Sequence, residues 1–339
     1  MSMWRKSSAP AGSAPKTAKR ILVISLGELT EFIQDLAAVR LIRDYHVGAR
    51  ITLLTVEPLE ALAEKCPYFD IVEADGKPRE PQATTQLITR LRGAKYEMVY
   101  DLRATSRTNS YFLAMRPWPP LWSGAAQGCS HPTAPIEQPM HRLDRLSAQL
   151  RGVGIETPVQ LLPDMSWIRP ALRDAPRLQP SYFGIRDPYV LLAPSEIAAS
   201  DSERWASRKY IDLARRVADL GVTPVMVGGL EARGVGAALA EVEPRAKNLV
   251  GRTDVFQLAA LCERAAFVMG EQAPALHVAA ACGVSSVILL PASVDPDLVA
   301  PRGRGGVVAI QAPVLAETPV EQVLQQMRNG GAFRASTAA

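Results

Sequence analysis

The stretch A-A-F-V-M-G-E-Q-A-P-A-L-H-V-A-A-A-C-G-V-S-S-V-I-L-L-P, from Ala265 to Pro291, constrains the fold more than any other part of the chain. An apolar run, a tight turn, a short Ala-rich helix opening near Pro274 and a second apolar run follow one another, which is the order of a βαβ unit. Parallel strands require such a crossover because a hairpin cannot join them. In that geometry the helix N-terminus faces the crevice at the carboxyl ends of the strands, where free N–H groups and the helix dipole hold phosphate. A phosphate-bearing ligand is therefore the first functional expectation.

The same alternation recurs along the chain. Arg20–Ser25, Ile51–Val56, Phe69–Val72 and Met98–Leu102 read as buried strands, separated by segments of helical spacing that include 57–65 and 82–93. Leu121–Gly124 reads as one more strand, 130–139 as a loop and Met140–Leu150 as a helix. A second series begins at Tyr189–Ala193 and continues with a helix over Ser207–Leu220, a strand over Val222–Val227, a helix over Leu230–Val242 and a strand over Asn248–Val250. Thr253 or Asp254 caps the next helix, Gln257 completing a capping box in the second case. A strand near Val307–Ile310 and a helix from Pro319 to Met327 follow the opening motif.

The pattern predicts an α/β protein of two Rossmann-like domains facing one another across a cleft. The expected boundaries are a disordered basic tail over 1–19, an N-terminal domain over 20–165, a Pro-rich linker over 166–187, a C-terminal domain over 188–330 and a flexible C-terminus over 331–339.

Composition narrows the function by exclusion. At 339 residues with 47% hydrophobic and 21% charged residues the chain is an ordinary globular protein, and no apolar run approaches the roughly 20 residues that span a bilayer. The net charge of +4 is accounted for by Arg5, Lys6, Lys16, Lys19 and Arg20, so the remainder is near neutral and no nucleic-acid partner is indicated. Four cysteines without metal-ligand or C-x-x-C spacing fit reduced thiols in a cytoplasmic protein, with Cys262 and Cys282 in core helices. Met3 and Trp4 beside Arg5 and Lys6 leave open a weak peripheral contact with the inner membrane, worth about 1 kcal/mol per basic residue.

Three segments carry polar groups where ligands bind. S-L-G-E, Ser25–Glu28, follows the first strand, and Glu28 either acts as a general base or caps the first helical turn. V-G-G-L-E, Val227–Glu231, lets backbone approach a ligand closely, with Glu231 either a ligand to it or the start of the next helix. G-x-G-x-x-G and Walker A sequences are absent, and Asp295-Pro296-Asp297 reads as a turn rather than a metal site.

The chain resembles glycosyltransferase family 9, the heptosyltransferases of lipopolysaccharide core synthesis. The likeness is carried by S-x-G-acid at 25–28, R-W at 204–205, G-G-x-E at 228–231 and P-x-L-H at 274–277, in the family's order. It departs from the family at Glu28, where the family has Asp; at Glu203 and Ala206, in place of Lys and Pro; and at Gln272 and Ala273-Pro274, in place of Asp and Ser/Thr-Gly.

The resemblance implies a GT-B fold without a cofactor and an inverting glycosyl transfer. Glu28 would be the base. Ser195, Arg204, Arg208, Glu231, Thr253, Gln272, Ala273, Pro274 and His277 would bind the nucleotide-sugar donor, an ADP-sugar being favoured. Arg103, Arg107, His141 and Arg142 would meet a lipopolysaccharide core or other glycan acceptor. The alternative is a catalytically impaired member that binds a sugar nucleotide or glycan, or serves as a partner in envelope assembly.

Overall fold

In the computed structural model the described residues are 12–134, 138–173, 175–194 and 204–333. The chain divides between Leu161 and Leu162 into two compact units.

The first unit runs β1 (Arg20–Ile24), α1 (Leu29–Tyr45), β2 (Arg50–Leu54), α2 (Glu60–Lys65), β3 (Ile71–Glu73), α3 (Pro81–Gly93), β4 (Met98–Asp101), α4 (Ser106–Ala114), β5 (Leu121–Gly124), β6 (His131–Pro132) and α5 (Arg142–Gly152). Its strands form one parallel sheet in the order β3-β2-β1-β4-β5-β6. Central β1 is covered on both faces, Ile21 to Ile24 all being fully buried, which explains an unbroken apolar run where a one-sided strand would alternate.

The second unit runs β7 (Tyr189–Ala193), α7 (Ser207–Asp219), β8 (Thr223–Met226), α8 (Arg233–Val242), β9 (Lys247–Asn248), α9 (Val255–Arg264), β10 (Phe267–Gly270), α10 (Pro274–Cys282), β11 (Ser286–Pro291), α11 (Pro296–Val299), β12 (Val307–Ala312) and α12 (Val320–Asn329), preceded by α6 (Arg169–Arg173). Its parallel sheet has the order β12-β11-β10-β7-β8-β9.

Read from their own first strands, both sheets have the doubly wound order 3-2-1-4-5-6. The chain therefore reverses direction across the sheet at β1/β4 in one unit and at β7/β10 in the other, and each reversal opens a crevice at the carboxyl ends of those strands. At the second crevice Gly270 is required by space: a Cβ there would lie 2.1 Å from the carbonyl oxygen of Ala193 on the neighbouring strand.

Three boundaries differ from the sequence reading. Residues 12–19, expected within a disordered tail, pack onto the first unit: Ala14 and Ala18 are buried, Ala14 N–H donates to the Val153 carbonyl at 2.8 Å, and the Tyr45 hydroxyl donates to the Ala14 carbonyl at 2.8 Å. Residues 1–11 lie outside the described residues.

The segment read as a linker belongs to the second unit, where Ile168, Leu172 and Leu178 are buried and Arg169 pairs with Glu263 at 2.7 Å. Its short 3-10 turns have no sustained period, so Pro content alone dominated the reading. At the C-terminus Ala332 is fully buried and Phe333 packs on the core, whereas 334–339 lie outside the described residues.

Candidate functional site

In the first unit the turn after β1 places Glu28 as the exposed N-cap of α1. Its backbone N–H donates to Glu31 Oε2 at 3.0 Å, so Glu31 folds back over the turn. Gly27 makes this possible, because a Cβ there would sit 2.5 Å from that oxygen. Glu31 also pairs with Arg103 from the β4–α4 loop and lies 3.9 Å from Arg142 Nη1.

One turn further along α1, Asp35 is buried and accepts from Ser25 Oγ at 2.7 Å and from Arg142 Nε and Nη2 at 3.0 and 2.7 Å. Burial raises the Asp35 carboxyl above its ordinary value, opposed by Arg142 and the Ser25 hydrogen bond. Burial and the neighbouring arginines lower Arg103 and Arg145 below the usual guanidinium value, with Glu28 acting in the opposite sense on Arg103. The result is an exposed carboxylate, Glu28, beside arginines that are themselves paired with Glu31 and Asp35, set at the β1/β4 crevice.

The β4–α4 loop is shaped by Asp101, whose Oδ1 accepts from the backbone N–H groups of Arg103 and Ala104 at 3.0 and 2.9 Å. Ala104 takes a left-handed φ of 51° to allow it. Asp101 is fully buried, its Oδ2 has no hydrogen-bond partner among the described residues, and burial pushes its carboxyl up to about 6.

The folded protein therefore holds this proton more tightly than the unfolded chain does. The corresponding stability is complete near pH 4 and lost as pH rises through 6, an effect of about 3 kcal/mol. Urea unfolding of wild type and Asp101→Asn across pH 4–7 is expected to show the difference between them shifting by that order, in favour of the variant as pH rises. A difference independent of pH would refute the assignment.

In the second unit the turn after β10 carries Glu271, Gln272 and Ala273 into α10. Ala273 is the N-cap and Pro274 the first helical residue; Ala273 makes no side-chain capping bond. Gln272, Pro274 and His277 are half-buried and Ala273 is buried.

Buried Glu271 organises the start of α7. It accepts the Trp205 backbone N–H at 3.2 Å and the Tyr210 hydroxyl at 2.9 Å, while Trp205 stacks edge-on to Tyr210 at 4.8 Å and donates its indole N–H to the Thr318 carbonyl at 2.9 Å. Lys209 donates to the same carbonyl at 2.8 Å, which leaves Arg204 and Arg208 as the exposed cations at this corner. Ser195 and Glu203 lie outside the described residues.

Further along the same carboxyl edge, Glu231 is exposed in a 3-10 turn after Gly228 and Gly229, and Gly251 N–H donates to the Gly228 carbonyl at 2.9 Å. That bond brings the turns after β8 and β9 together, with half-buried Thr253 just ahead of the Asp254 cap. The capping box with Gln257 is formed.

The singled-out residues thus fall into two groups, one at the carboxyl edge of each sheet. Glu28, Arg103 and Arg142 come together. Arg107 stands apart in the first turn of α4, its Nη1 donating to the Pro78 carbonyl at 3.2 Å. His141 is buried and caps α5, its Nδ1 accepting from Leu143 N–H at 3.1 Å.

Sequence reasoning passed over Glu31, Asp35, Arg145 and Glu271. The first two had a readable signal: Glu28, Glu31 and Asp35 recur at helical spacing on one face of α1. Among the described residues no group of three or more His, Cys, Asp or Glu is placed to hold a metal ion, and no helix is long and apolar enough to cross a membrane.

Three solved structures share this architecture. The glycosyl transferase family 9 protein from Veillonella parvula is 18% identical with a TM-score of 0.79, covering 94% of this chain and 98% of that one. E. coli ADP-heptose lps heptosyltransferase II is 18% identical with a TM-score of 0.75, over 92% and 98%. E. coli heptosyltransferase WaaC with ADP is 16% identical with a TM-score of 0.72, over 92% and 99%. At these identities the likeness is one of fold, of the GT-B type. No curated protein matches the chain. In sequence, residues 142–307 match glycosyltransferase family 9 (heptosyltransferase). That match covers just under half of the chain and, on this pair of Rossmann-like units, makes the chain similar to glycosyltransferase family 9.

Proposed function

We propose that this protein transfers a heptose-like sugar from a nucleotide diphosphate donor, an ADP-sugar, to a lipopolysaccharide-type or other envelope glycan at the cytoplasmic side of the inner membrane. The observation that carries the reading is the exposed Glu28 carboxylate at the β1/β4 crevice, beside Arg103. Glu28 accepts the proton of an acceptor hydroxyl as its oxygen attacks the anomeric carbon. The bond from that carbon to the diphosphate oxygen breaks in the same displacement, so the configuration inverts.

The leaving diphosphate carries the developing charge. The first turn of α10 supplies backbone dipole, and Arg204 and Arg208 supply the cations that the family takes from a Lys at position 203. Glu231 is suited to accept hydrogen bonds from ribose hydroxyls, with Thr253 nearby along the edge. Arg103 serves the acceptor's anionic groups by exchanging with Glu31.

Calorimetry with ADP- and UDP-sugars, followed by turnover of wild type and Glu28→Ala, tests this. Binding with Glu28-dependent turnover supports the transferase. Binding without turnover supports the impaired, ligand-binding alternative, which the loss of a side-chain hydroxyl at Ala273 favours. Absence of binding removes both and leaves a partner role in envelope assembly.

A further inference from the structure

A cavity of about 600 Å³ opens on the first unit between the C-terminal ends of α3 and α4 and the loop entering β5. Arg92, Lys95, Tyr96, Arg116, Pro117 and Trp118 line it, and no carboxylate is among the lining residues. This is the amino edge of the sheet, opposite the edge that carries Glu28, so sugar transfer makes no use of it. Its volume is that of a small-ligand site.

Among the described residues no carboxylate pairs with Arg92, Lys95 or Arg116, although the Arg116 guanidinium lies 5.7 Å from the centre of the Phe112 ring. Arg92 Nε donates to the Ala114 carbonyl at 2.7 Å and Arg116 Nη2 to the Gln127 carbonyl at 3.3 Å, both neutral partners. Lys95 is exposed and holds a left-handed φ of 49°, a conformation that disfavours a residue with a Cβ.

Trp118 is 88% exposed, and the prolines at 117, 119 and 120 restrict the loop that presents it. A large indole held in water next to three cations that no described carboxylate neutralises has an obvious complement in a flat ring bearing negative charge. Stacking on Trp is available to any flat ring, because every such ring has a π-face.

We propose that this cavity binds a small aromatic anion, its ring against Trp118 and Tyr96 and its negative group, phosphate or carboxylate, at Lys95, Arg92 and Arg116. The site is independent of the transfer reading, since a chain that never moved a sugar would bind the same ligand.

The test follows the indole N–H resonance of Trp118, assigned by its loss in Trp118→Phe, in the full chain titrated with ADP, benzoate, adenosine and inorganic phosphate. ADP is also expected on the second unit, and the Trp118 resonance separates the two sites. Saturable shifts with ADP or benzoate are expected, ADP alone marking phosphate as the recognised group and benzoate alone marking carboxylate.

Lys95→Asn, which keeps the left-handed backbone and removes the charge, should weaken the responding ligand by about fivefold, an effect reduced by added salt. The proposal is overturned if neither anion shifts Trp118, if adenosine acts as strongly as ADP, if inorganic phosphate alone reproduces the shift, or if Lys95→Asn changes nothing. It is equally overturned if Trp118 responds only to phosphatidylglycerol vesicles, which would make the patch a lipid contact.

Discussion

Glu28→Ala is expected to lower turnover by about 10²–10⁴-fold while leaving donor affinity within about twofold, the signature of a group that acts on the acceptor proton. The fold should survive the change. The backbone N–H of Glu28 is held by Glu31, and an N-cap replaced by Ala costs about 1 kcal/mol. Glu28→Gln keeps the shape and removes the base, so it should fall with Glu28→Ala in kcat.

Glu28→Asp tests reach. Shortening the side chain by one methylene withdraws the carboxylate by about 1 Å, and a misplacement of that size can cost on the order of 10²-fold in rate. If the turn after β1 is adjusted to Glu, Asp will be nearly as poor as Gln. Full turnover in Glu28→Gln would reduce Glu28 to a helix cap and end its role in catalysis.

Arg142→Met is expected to destabilise the first unit by about 3–5 kcal/mol at pH 7, because it strands a buried carboxylate. Asp35 is 1% exposed and, among the described residues, takes two of its three hydrogen bonds from Arg142; the third, from Ser25 Oγ, does not supply a countercharge. Asp35 then has to take up a proton to remain buried. The loss should therefore shrink as pH falls, since a raised carboxyl value in the folded state stabilises at low pH and destabilises at high pH.

Removing both charges, in Asp35→Leu with Arg142→Met, should recover most of the loss. Urea denaturation of the single and double variants measures it. A single variant within about 1 kcal/mol of wild type would mean that Asp35 finds water or another cation once Arg142 is gone.

The secondary structure was legible where buried parallel strands supply unbroken apolar runs. Tyr189–Ala193 coincides with β7, and the helix expected at Ser207–Leu220 is α7 to within one residue. Short elements were less legible. β6, two residues at His131–Pro132, fell in a stretch read as loop, because two residues carry no period. The packing of residues 12–19 was hidden for a related reason: small side chains such as Ala14 and Ala18 look like linker composition until a neighbouring surface is there to bury them.

At the candidate site, Glu28 was readable because a polar residue after a Gly-containing turn at a strand's carboxyl end is conspicuous in an apolar context. Its surroundings were not. His141 caps α5, and Arg142 pairs with Asp35, 107 residues earlier in the chain, neither of which the local sequence announces. Trp205 was recognised only as part of an R-W pair, whereas its backbone is held by Glu271, 66 residues later.

Local sequence by itself determined the alternation of strands and helices, the two-unit α/β class and the turns where polar groups reach the carboxyl edges, since these depend on periodicity and on neighbours within a few positions. Tertiary structure alone decided which charges are free and which are spent. Pairing of Asp35 with Arg142, of Glu31 with Arg103 and of Glu271 with Trp205 and Tyr210 depends on distances between segments far apart in the chain, and the energy of a charge is set by the partner and burial it finds there.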